Sequence, residues 1–288
     1  MGTLINILID GVVYGLLLFM IAVGLTITMG LMRFINLAHG VFAMLGGYAA
    51  IWLIRQMGLP WLPGVIIAVL AIAAISVPLE RWLVSRVYQR PPLDQVLLTI
   101  GIVFCMVAIS GLVFGTRVSS MPFPEFLSGS LDLGFKVLPA QRILVVSVGV
   151  ASFVGLWLLL EKTRFGIQLR ATVDNVQTAS AMGINTRRVA TLAFALGAGM
   201  AALGGIVGSA LMPIEPYYPL TYMVLFLAVV AVGGQGNLTG TLVGALLLGM
   251  IDTATKYLAP QLSSILFFVA IIVIISLRPN GLFGRAAV

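Results

Sequence analysis

The sequence predicts an all-α membrane protein, a polytopic bundle of transmembrane helices. Hydrophobic residues make up 60% of the 288 positions and charged residues only 9%, whereas a soluble domain has about 25% charged residues. Apolar runs also recur along the whole chain, each close to the ~20 residues that a helix needs to cross a ~30 Å hydrocarbon layer. The short alternating segments of a membrane β-barrel are not found. The chain is therefore not expected to be a soluble enzyme.

Nine apolar segments are predicted as spans. They are residues 4–31, 35–54, 62–79, 96–114, 143–160, 189–211, 221–232, 238–255 and 264–277. The first has no basic region before it and no small-residue cleavage site, so it is expected to be a span and not a cleaved signal peptide. We expect one transmembrane domain over 1–288 with two pseudo-repeated halves. Two segments could be re-entrant, so about eight or nine full crossings are expected.

The basic residues predict the orientation, because cytoplasmic loops of membrane proteins are enriched in Lys and Arg. If the long loop 161–188 is cytoplasmic, alternation of the spans places most basic residues inside: Lys162, Arg164, Arg170, Arg187, Arg188, Arg33, Arg81, Arg86, Arg90, Arg278 and Arg285. The remainder fall outside: Arg55, Arg117, Lys136, Arg142 and Lys256. The N-terminus is then external and the C-terminus cytoplasmic. Topology therefore explains the net charge of +7 better than nucleic-acid binding.

Two breaks interrupt the helical pattern, one in each half. The first is 33–40, followed by 44–48, and the second is 232–240, followed by Gly244. An unwound backbone has no hydrogen-bond partner in lipid, so it is expected inside the protein or along a water-filled path. Paired breaks in the two halves point to a transporter's central site. The candidate pathway residues are Asn36, His39, Tyr48, Gln235 and Asn237. The alternative is that the breaks are tight turns at the membrane surface.

Glycines accompany both breaks and are assigned to the breaks and to helix packing. The candidates are Gly40, Gly233, Gly234, Gly236 and Gly240. Glycines spaced by four residues let helix backbones approach closely, and we expect these ladders to pack within the chain and not to form a dimer seam. The ladders are Gly236–Gly240–Gly244, Gly11–Gly15 and Gly204–Gly208.

Reactive residues are scarce. Cys105 is the single cysteine and His39 the single histidine, which excludes an internal disulfide, a cysteine metal site and a histidine cluster. No span has a charged residue at its middle, where charge is costly. Asp10 and Asp252 fall near outer ends and Glu80 near an inner end. Ion coupling and a membrane-embedded enzyme are therefore disfavoured, no metal or catalytic residue is expected, and His39 is expected to be a packing residue.

The loop 161–188 contains a predicted surface helix. Asp174 suits its N-cap, Val176, Ala179 and Met182 repeat every three residues along one face, and Gly183 suits its C-terminal stop. A helix this short is marginal in water, so we expect it to dock into a groove of another protein. The alternative is a connector lying on lipid headgroups.

Four stretches resemble the branched-chain amino acid (Leu/Ile/Val) permease family of ABC importers. Residues 177–183 (Gln-Thr-Ala-Ser-Ala-Met-Gly) are similar to the coupling motif E-A-A-x-x-x-G of bacterial importer permeases. Gln177 replaces its glutamate and Thr178 its first alanine, so an ion pair to the motor is not expected here. Residues 35–40 (Ile-Asn-Leu-Ala-His-Gly), 233–249 and the ending 277–284 resemble further stretches of that family.

The resemblance implies a bacterial inner-membrane complex. It would contain a second related permease, two cytoplasmic ATPase subunits that bind ATP and Mg²⁺, and an extracytoplasmic binding protein that delivers the solute. The chain has no G-x-x-x-x-G-K-[ST] phosphate loop, so ATP hydrolysis would belong to the partners and no cofactor is expected on this chain. The expected cargo is a branched-chain or related amino acid, with urea, short amides or organic acids as alternatives. An ion-coupled carrier or a channel is the rival of another class.

Overall fold

In a computed structural model that describes residues 2–32, 34–132 and 137–284, the predicted all-α class is confirmed. The α-helices are α1 Gly2–Met32, α2 His39–Arg55, α3 Trp61–Trp82, α4 Pro92–Phe114, α5 Glu125–Ser128, α6 Ala140–Lys162, α7 Arg164–Asp174, α8 Val176–Ala181, α9 Thr186–Val207, α10 Tyr218–Gly233, α11 Leu238–Leu258 and α12 Ser263–Leu277. Two short strands, β1 Ser130–Asp132 and β2 Val137–Pro139, pair antiparallel between α5 and α6.

Every predicted span coincides with a helix, although many of the boundaries differ, by at most four residues. Among the described residues, seven helices are long and apolar enough to cross a membrane: α1, α3, α4, α6, α9, α11 and α12. Helices α2 and α10 have 17 and 16 residues. Helix α2 begins at His39 and not at residue 35, because the backbone N–H of Ile35 donates to the Gln95 side chain, 3.2 Å away. Helix α9 ends at Val207, before a turn leading to Pro213, which cannot continue a helix.

Helix α1 lies at the centre of the bundle, between α9 and α11. Its residues 17–23 are fully buried. A methyl group on Gly24 would overlap the backbone of Gly197 in α9, and one on Gly15 would lie 2.8 Å from the Leu246 Cα in α11. The hydroxyl oxygens of Thr26 and Thr241 lie 2.8 Å apart and join α1 to α11. Small residues therefore let three backbones pack closely, as in other membrane bundles.

Most described basic residues lie at one end of the bundle, here called the basic rim. It comprises the ends of the helices next to the connections 83–91, 163–185 and 234–237 and the C-terminal segment 278–284. Its basic residues are Arg81, Arg86, Arg90, Lys162, Arg164, Arg170, Arg187, Arg188 and Arg278; those at the opposite rim are Arg55, Arg117, Arg142 and Lys256. This is the grouping predicted from span alternation. Arg33, Lys136 and Arg285 lie outside the described residues.

An ionic cluster joins three helices at the opposite rim. Asp10 of α1 accepts hydrogen bonds from Arg142 of α6 and from the Tyr257 hydroxyl of α11, the latter at 2.7 Å. Lys256 pairs with Asp252 at 2.6 Å, one turn earlier on α11. The two aspartates therefore lie near the end of the bundle where the sequence places them.

Candidate transport pathway and coupling surface

The first break is a buried non-helical stretch, residues 34–38, here called the re-entrant segment. It leaves the basic rim beside Gln95 and leads to His39, whose Nε2 lies 2.9 Å from the carbonyl oxygen of Ile21 in the middle of α1. Helix α2 therefore begins inside the bundle. The described part of the first break lies inside the protein, the environment that an unwound backbone requires.

Three predicted pathway residues lie in the interior along this stretch and the helix that follows. Asn36, His39 and Tyr48 are all buried, and Tyr48 stacks on Phe114 with ring centroids 4.2 Å apart. The Asn36 Nδ2 and the Tyr48 hydroxyl have no hydrogen-bond partner in the described part of the chain. Unpaired buried polar atoms are costly and rare in folded proteins. Both groups can hydrogen-bond a polar molecule that reaches them.

The second break has a different structure: it is a tight turn at the basic rim. Helix α10 ends at Gly233, and Gly234 and Gly236 have φ angles of +100° and +76°, which glycine adopts without the strain of a side chain. Gln235 is exposed. Asn237 is the N-cap of α11, because its Oδ1 accepts from the Gly240 N–H at 2.8 Å and its Nδ2 donates to the Phe283 carbonyl at 3.3 Å.

The structure therefore does not bring the five predicted pathway residues together. Asn36, His39 and Tyr48 follow the interior, whereas Gln235 and Asn237 lie at the basic rim. The second break forms a tight turn at the basic rim, where the Asn237 side chain caps α11. The first break is the one that enters the bundle.

The glycines assigned to packing make contacts within the chain. Gly40 lies beside Pro219 of α10, the Gly233 and Gly240 backbones touch, and a Cβ on Gly236 would lie 3.1 Å from the Gly30 Cα. The ladders contact neighbouring elements of the same chain: Gly11 and Gly15 contact α11, Gly204 and Gly208 contact α1, and Gly240 and Gly244 contact Gly233 of α10.

A cavity of about 690 Å³ with both polar and apolar lining residues opens at the basic rim. It lies between α1, α6 and α7 on one side and the turn after α10 and the C-terminal segment on the other. Arg170 and Glu161 form an ion pair at 3.3 Å beside it. The cavity is where Gln235 and Asn237 lie, and its lining also includes Thr26, Trp157, Arg170 and Asn280.

The loop 161–188 forms two helices where one was predicted, and the predicted N-cap is wrong by one residue. Asp174 is the last residue of α7, and Asn175 caps α8: its Oδ1 accepts from the Thr178 N–H at 2.9 Å. Asn175 and not Asp174 is the cap because its backbone has the extended conformation of an N-cap (φ −156°, ψ 107°).

The C-terminal stop at Gly183 lies where it was predicted. Gly183 has φ +83°; its N–H donates to the Ser180 carbonyl at 3.0 Å and the Ile184 N–H donates to the Ala179 carbonyl at 3.1 Å. This pair of bonds is the Schellman ending of a helix. Helix α8 is therefore fixed at both ends.

The predicted apolar face of α8 is divided between two directions. Ala179 is 4% exposed and lines a cavity of about 330 Å³ with Ala171 of α7 and Ile184. Val176 and Met182 are 51% and 79% exposed. Helix α7 thus supports α8 from one side, and α8 presents two large apolar side chains outward. Gln177 is also exposed.

Sequence reasoning missed α7 and its exposed apolar side chains, Ile167 and Val173. The sequence does contain a helical pattern there: Phe165 and Leu169 are four residues apart, and both pack towards the core. Thr163 is also a residue type that favours the N-cap position, and its hydroxyl oxygen accepts from the Gly166 N–H at 3.3 Å. Together, α7 and α8 form one face of the basic rim, the candidate contact with a partner protein, here called the coupling surface.

Comparison with known proteins gives a consistent result. A family described as the permease component of branched-chain amino acid transport systems matches residues 7–275. The chain is 27% identical over 292 residues to the high-affinity branched-chain amino acid transport system permease protein LivH of Salmonella typhimurium, covering 97% of this chain and 95% of LivH. It is 27% identical over 294 residues to BraD of Pseudomonas aeruginosa, a permease described in the same terms, covering 98% and 96%. A shorter match, 36% over 135 residues, is to the autoinducer 2 import system permease protein LsrC of Salmonella paratyphi B, covering 43% and 39%.

Proposed function

Because the chain belongs to the family of branched-chain amino acid transport permeases, we propose that it forms half of the translocation pathway of an ATP-driven ABC importer. The chain is a multi-pass permease component. The proposed complex lies in the bacterial inner membrane and adds a second related permease, two cytoplasmic ATPase subunits that carry ATP and Mg²⁺, and an extracytoplasmic binding protein.

The observation that carries this proposal is the coupling surface. Helix α8 has six residues and would be marginal in water, yet it is capped at both ends and exposes Val176 and Met182. A helix that is fixed at both ends and exposes apolar side chains is suited to docking into a groove of a partner protein. The surrounding rim carries most of the described basic residues, which favours a cytoplasmic location, where the ATPase subunits would bind.

The proposed mechanism is alternating access driven from this surface. ATP binding closes the two motor subunits, which displace α7 and α8. The displacement switches the two permeases between outward-facing and inward-facing states as rigid bodies. In this chain the solute pathway would pass the re-entrant segment, with Asn36, His39 and Tyr48 as its polar residues.

Cross-linking of engineered thiols tests the motor contact. Cys105 is exposed and is first replaced by serine, and single cysteines are then placed at Val176 or Met182 in the assembled transporter. Both should cross-link to thiols on the ATPase subunit, whereas a cysteine at buried Ala179 should react far less. If neither position reacts with the ATPase, or both are labelled from outside the cell, the proposal is wrong.

Reconstitution distinguishes the importer from the rival carrier or channel. The permease pair alone should be inert in liposomes and should accumulate solute only with its ATPase subunits, binding protein and ATP. Solute uptake by the pair alone, driven by an ion gradient, would establish the carrier instead.

Branched-chain amino acids are the proposed cargo, because both relatives matched over nearly their whole length are described as permeases for them. Calorimetry on the purified binding protein tests this with leucine, isoleucine and valine against urea, short amides and organic acids. Binding of only the second group would keep the importer but change its cargo.

A further inference from the structure

Glu80 is a buried carboxylate at the basic-rim end of α3, only 1% exposed. Its Oε2 accepts a hydrogen bond from the Thr191 hydroxyl of α9 at 2.8 Å, and its Oε1 accepts one from the Tyr88 hydroxyl at 2.7 Å. None of the ion pairs in the described ranges includes it. Burying a carboxylate is costly unless its oxygens are hydrogen-bonded, so Glu80 and the two hydroxyls fix one another.

Thr191 connects this carboxylate to the coupling surface. Only residues 182–185 separate α8 from α9, and both helices are fixed to that linker. The Ile184 N–H donates back to the Ala179 carbonyl, and Asn185 caps α9 by accepting from the Arg188 N–H at 3.0 Å. Thr191 follows in the second turn of α9. A displacement of α8 therefore reaches Thr191 through one short, hydrogen-bonded path.

Tyr88 connects the same carboxylate to the re-entrant segment. Its ring packs edge-to-face on Phe34, with centroids 5.5 Å apart and planes at 72°. Burial and the hydrogen bond to Glu80 raise the pKa of Tyr88, so the phenol remains a neutral donor near neutral pH. Next to Phe34, the Ile35 N–H donates a hydrogen bond to the Gln95 Oε1. The Gln95 Nε2 in turn donates to the Arg90 carbonyl at 3.1 Å.

We propose that Glu80 is a positioning residue that links α8 and α9 to the re-entrant segment, so that displacement of α8 by a motor subunit moves Asn36 and His39. The carboxylate is suited to this role because each of its oxygens accepts a hydrogen bond from a different side of the link. Oε2 accepts from Thr191 of α9, and Oε1 accepts from Tyr88, which packs on the re-entrant segment. The inference rests on the proposed function, since it assumes that an ATPase displaces α8.

A matched pair of Thr→Val variants tests the link. Thr191→Val deletes the hydroxyl that meets Glu80. Thr241→Val is the control: it deletes another buried hydroxyl with an interhelical contact of the same 2.8 Å length, to Thr26, away from the path from α8 to the re-entrant segment. The readout is solute taken up per ATP hydrolysed by the assembled transporter in liposomes. We expect Thr191→Val to lower this ratio by about threefold to tenfold and Thr241→Val to leave it within about twofold.

Tyr88→Phe extends the test, because it removes the other hydroxyl and keeps the ring that contacts Phe34. If both hydroxyls act through Glu80, the double variant Tyr88→Phe with Thr191→Val should depart from the product of the single effects. Glu80→Gln should retain part of the ratio, since a glutamine can still accept from one hydroxyl and donate to the other.

The outcomes separate the two levels of the hypothesis. If the unaltered complex does not couple ATP hydrolysis to uptake, the importer assignment fails and this inference fails with it. If the unaltered complex is coupled but Thr191→Val keeps the full ratio, or Thr241→Val lowers it equally, only the link through Glu80 is overturned.

Discussion

Replacing Gly183 by alanine should weaken the coupling between ATP hydrolysis and uptake. Gly183 has φ +83° at the end of α8, and no atom outside its immediate neighbourhood lies within 4 Å of where a Cβ would stand. The substitution therefore introduces no clash, and its main effect is backbone strain. A left-handed conformation costs a non-glycine residue roughly 1–2 kcal/mol.

That strain matters because a helix of six residues is marginal by itself. A difference of 1–2 kcal/mol changes a two-state ratio by a factor of about 5–30. Helix α8 has six residues and ends on two hydrogen bonds at Gly183 and Ile184. We expect the ratio of docked to undocked α8 to fall about fivefold or more, and uptake per ATP to fall with it. Insertion and assembly of the transporter should be unchanged.

The assay is uptake and phosphate release measured on the same proteoliposomes, with Gly58→Ala as the matched control. Gly58 also has a positive φ, +68°, follows a helix, and has no atom within 4 Å of its Cβ position, but it lies at the opposite rim. Gly58→Ala should keep the normal ratio. A Gly183→Ala transporter that couples as well as the unaltered one would refute the role of α8.

Three further predictions concern packing, ion pairs and the two breaks. Gly24→Ala should destabilise the purified complex by about 1–3 kcal/mol through overpacking against Gly197, whereas exposed Gly101→Ala should not; equal melting temperatures would contradict the packing. Asp10→Asn should lower the melting temperature more than Asp252→Asn, because Asp10 bonds two helices whereas Asp252 pairs with an exposed lysine; the reverse order would contradict this. Asn237→Ala should cost about 1 kcal/mol as a lost cap without reducing uptake by correctly assembled transporter, whereas Tyr48→Phe should reduce uptake without loss of stability; a normal uptake rate for Tyr48→Phe would remove Tyr48 from the pathway.

The spans could be predicted because hydrophobicity over about 20 residues decides whether a helix enters lipid. Their ends could not, because distant residues set some of them. Helix α2 begins at His39 and not at residue 35, because the Ile35 N–H donates to the side chain of Gln95, 60 residues further along the chain. The N-cap of α8 was ambiguous for another reason: Asp174 and Asn175 are both good caps, and only the backbone angles select Asn175.

The candidate site was predictable in its residue types but not in its depth. Both breaks combine glycine with asparagine, yet Asn36 lies in the interior and Asn237 caps a helix at the rim. A single sequence does not indicate how far a turn lies from the membrane surface. The sequence places Glu80 near the end of a span, but its proposed role depends on Thr191, 111 residues away, which no local pattern reveals.

The central position of α1 has a consequence for synthesis of the chain. The Thr26–Thr241 contact joins residues 215 positions apart, and a ribosome adding about 5–20 residues per second needs roughly 10–40 s to make the intervening chain. During that interval the small-residue surface of α1 lacks α9 and α11 and must face lipid or a chaperone. Helix α1 is thus made well before two of its main neighbours, and premature release would expose it to degradation.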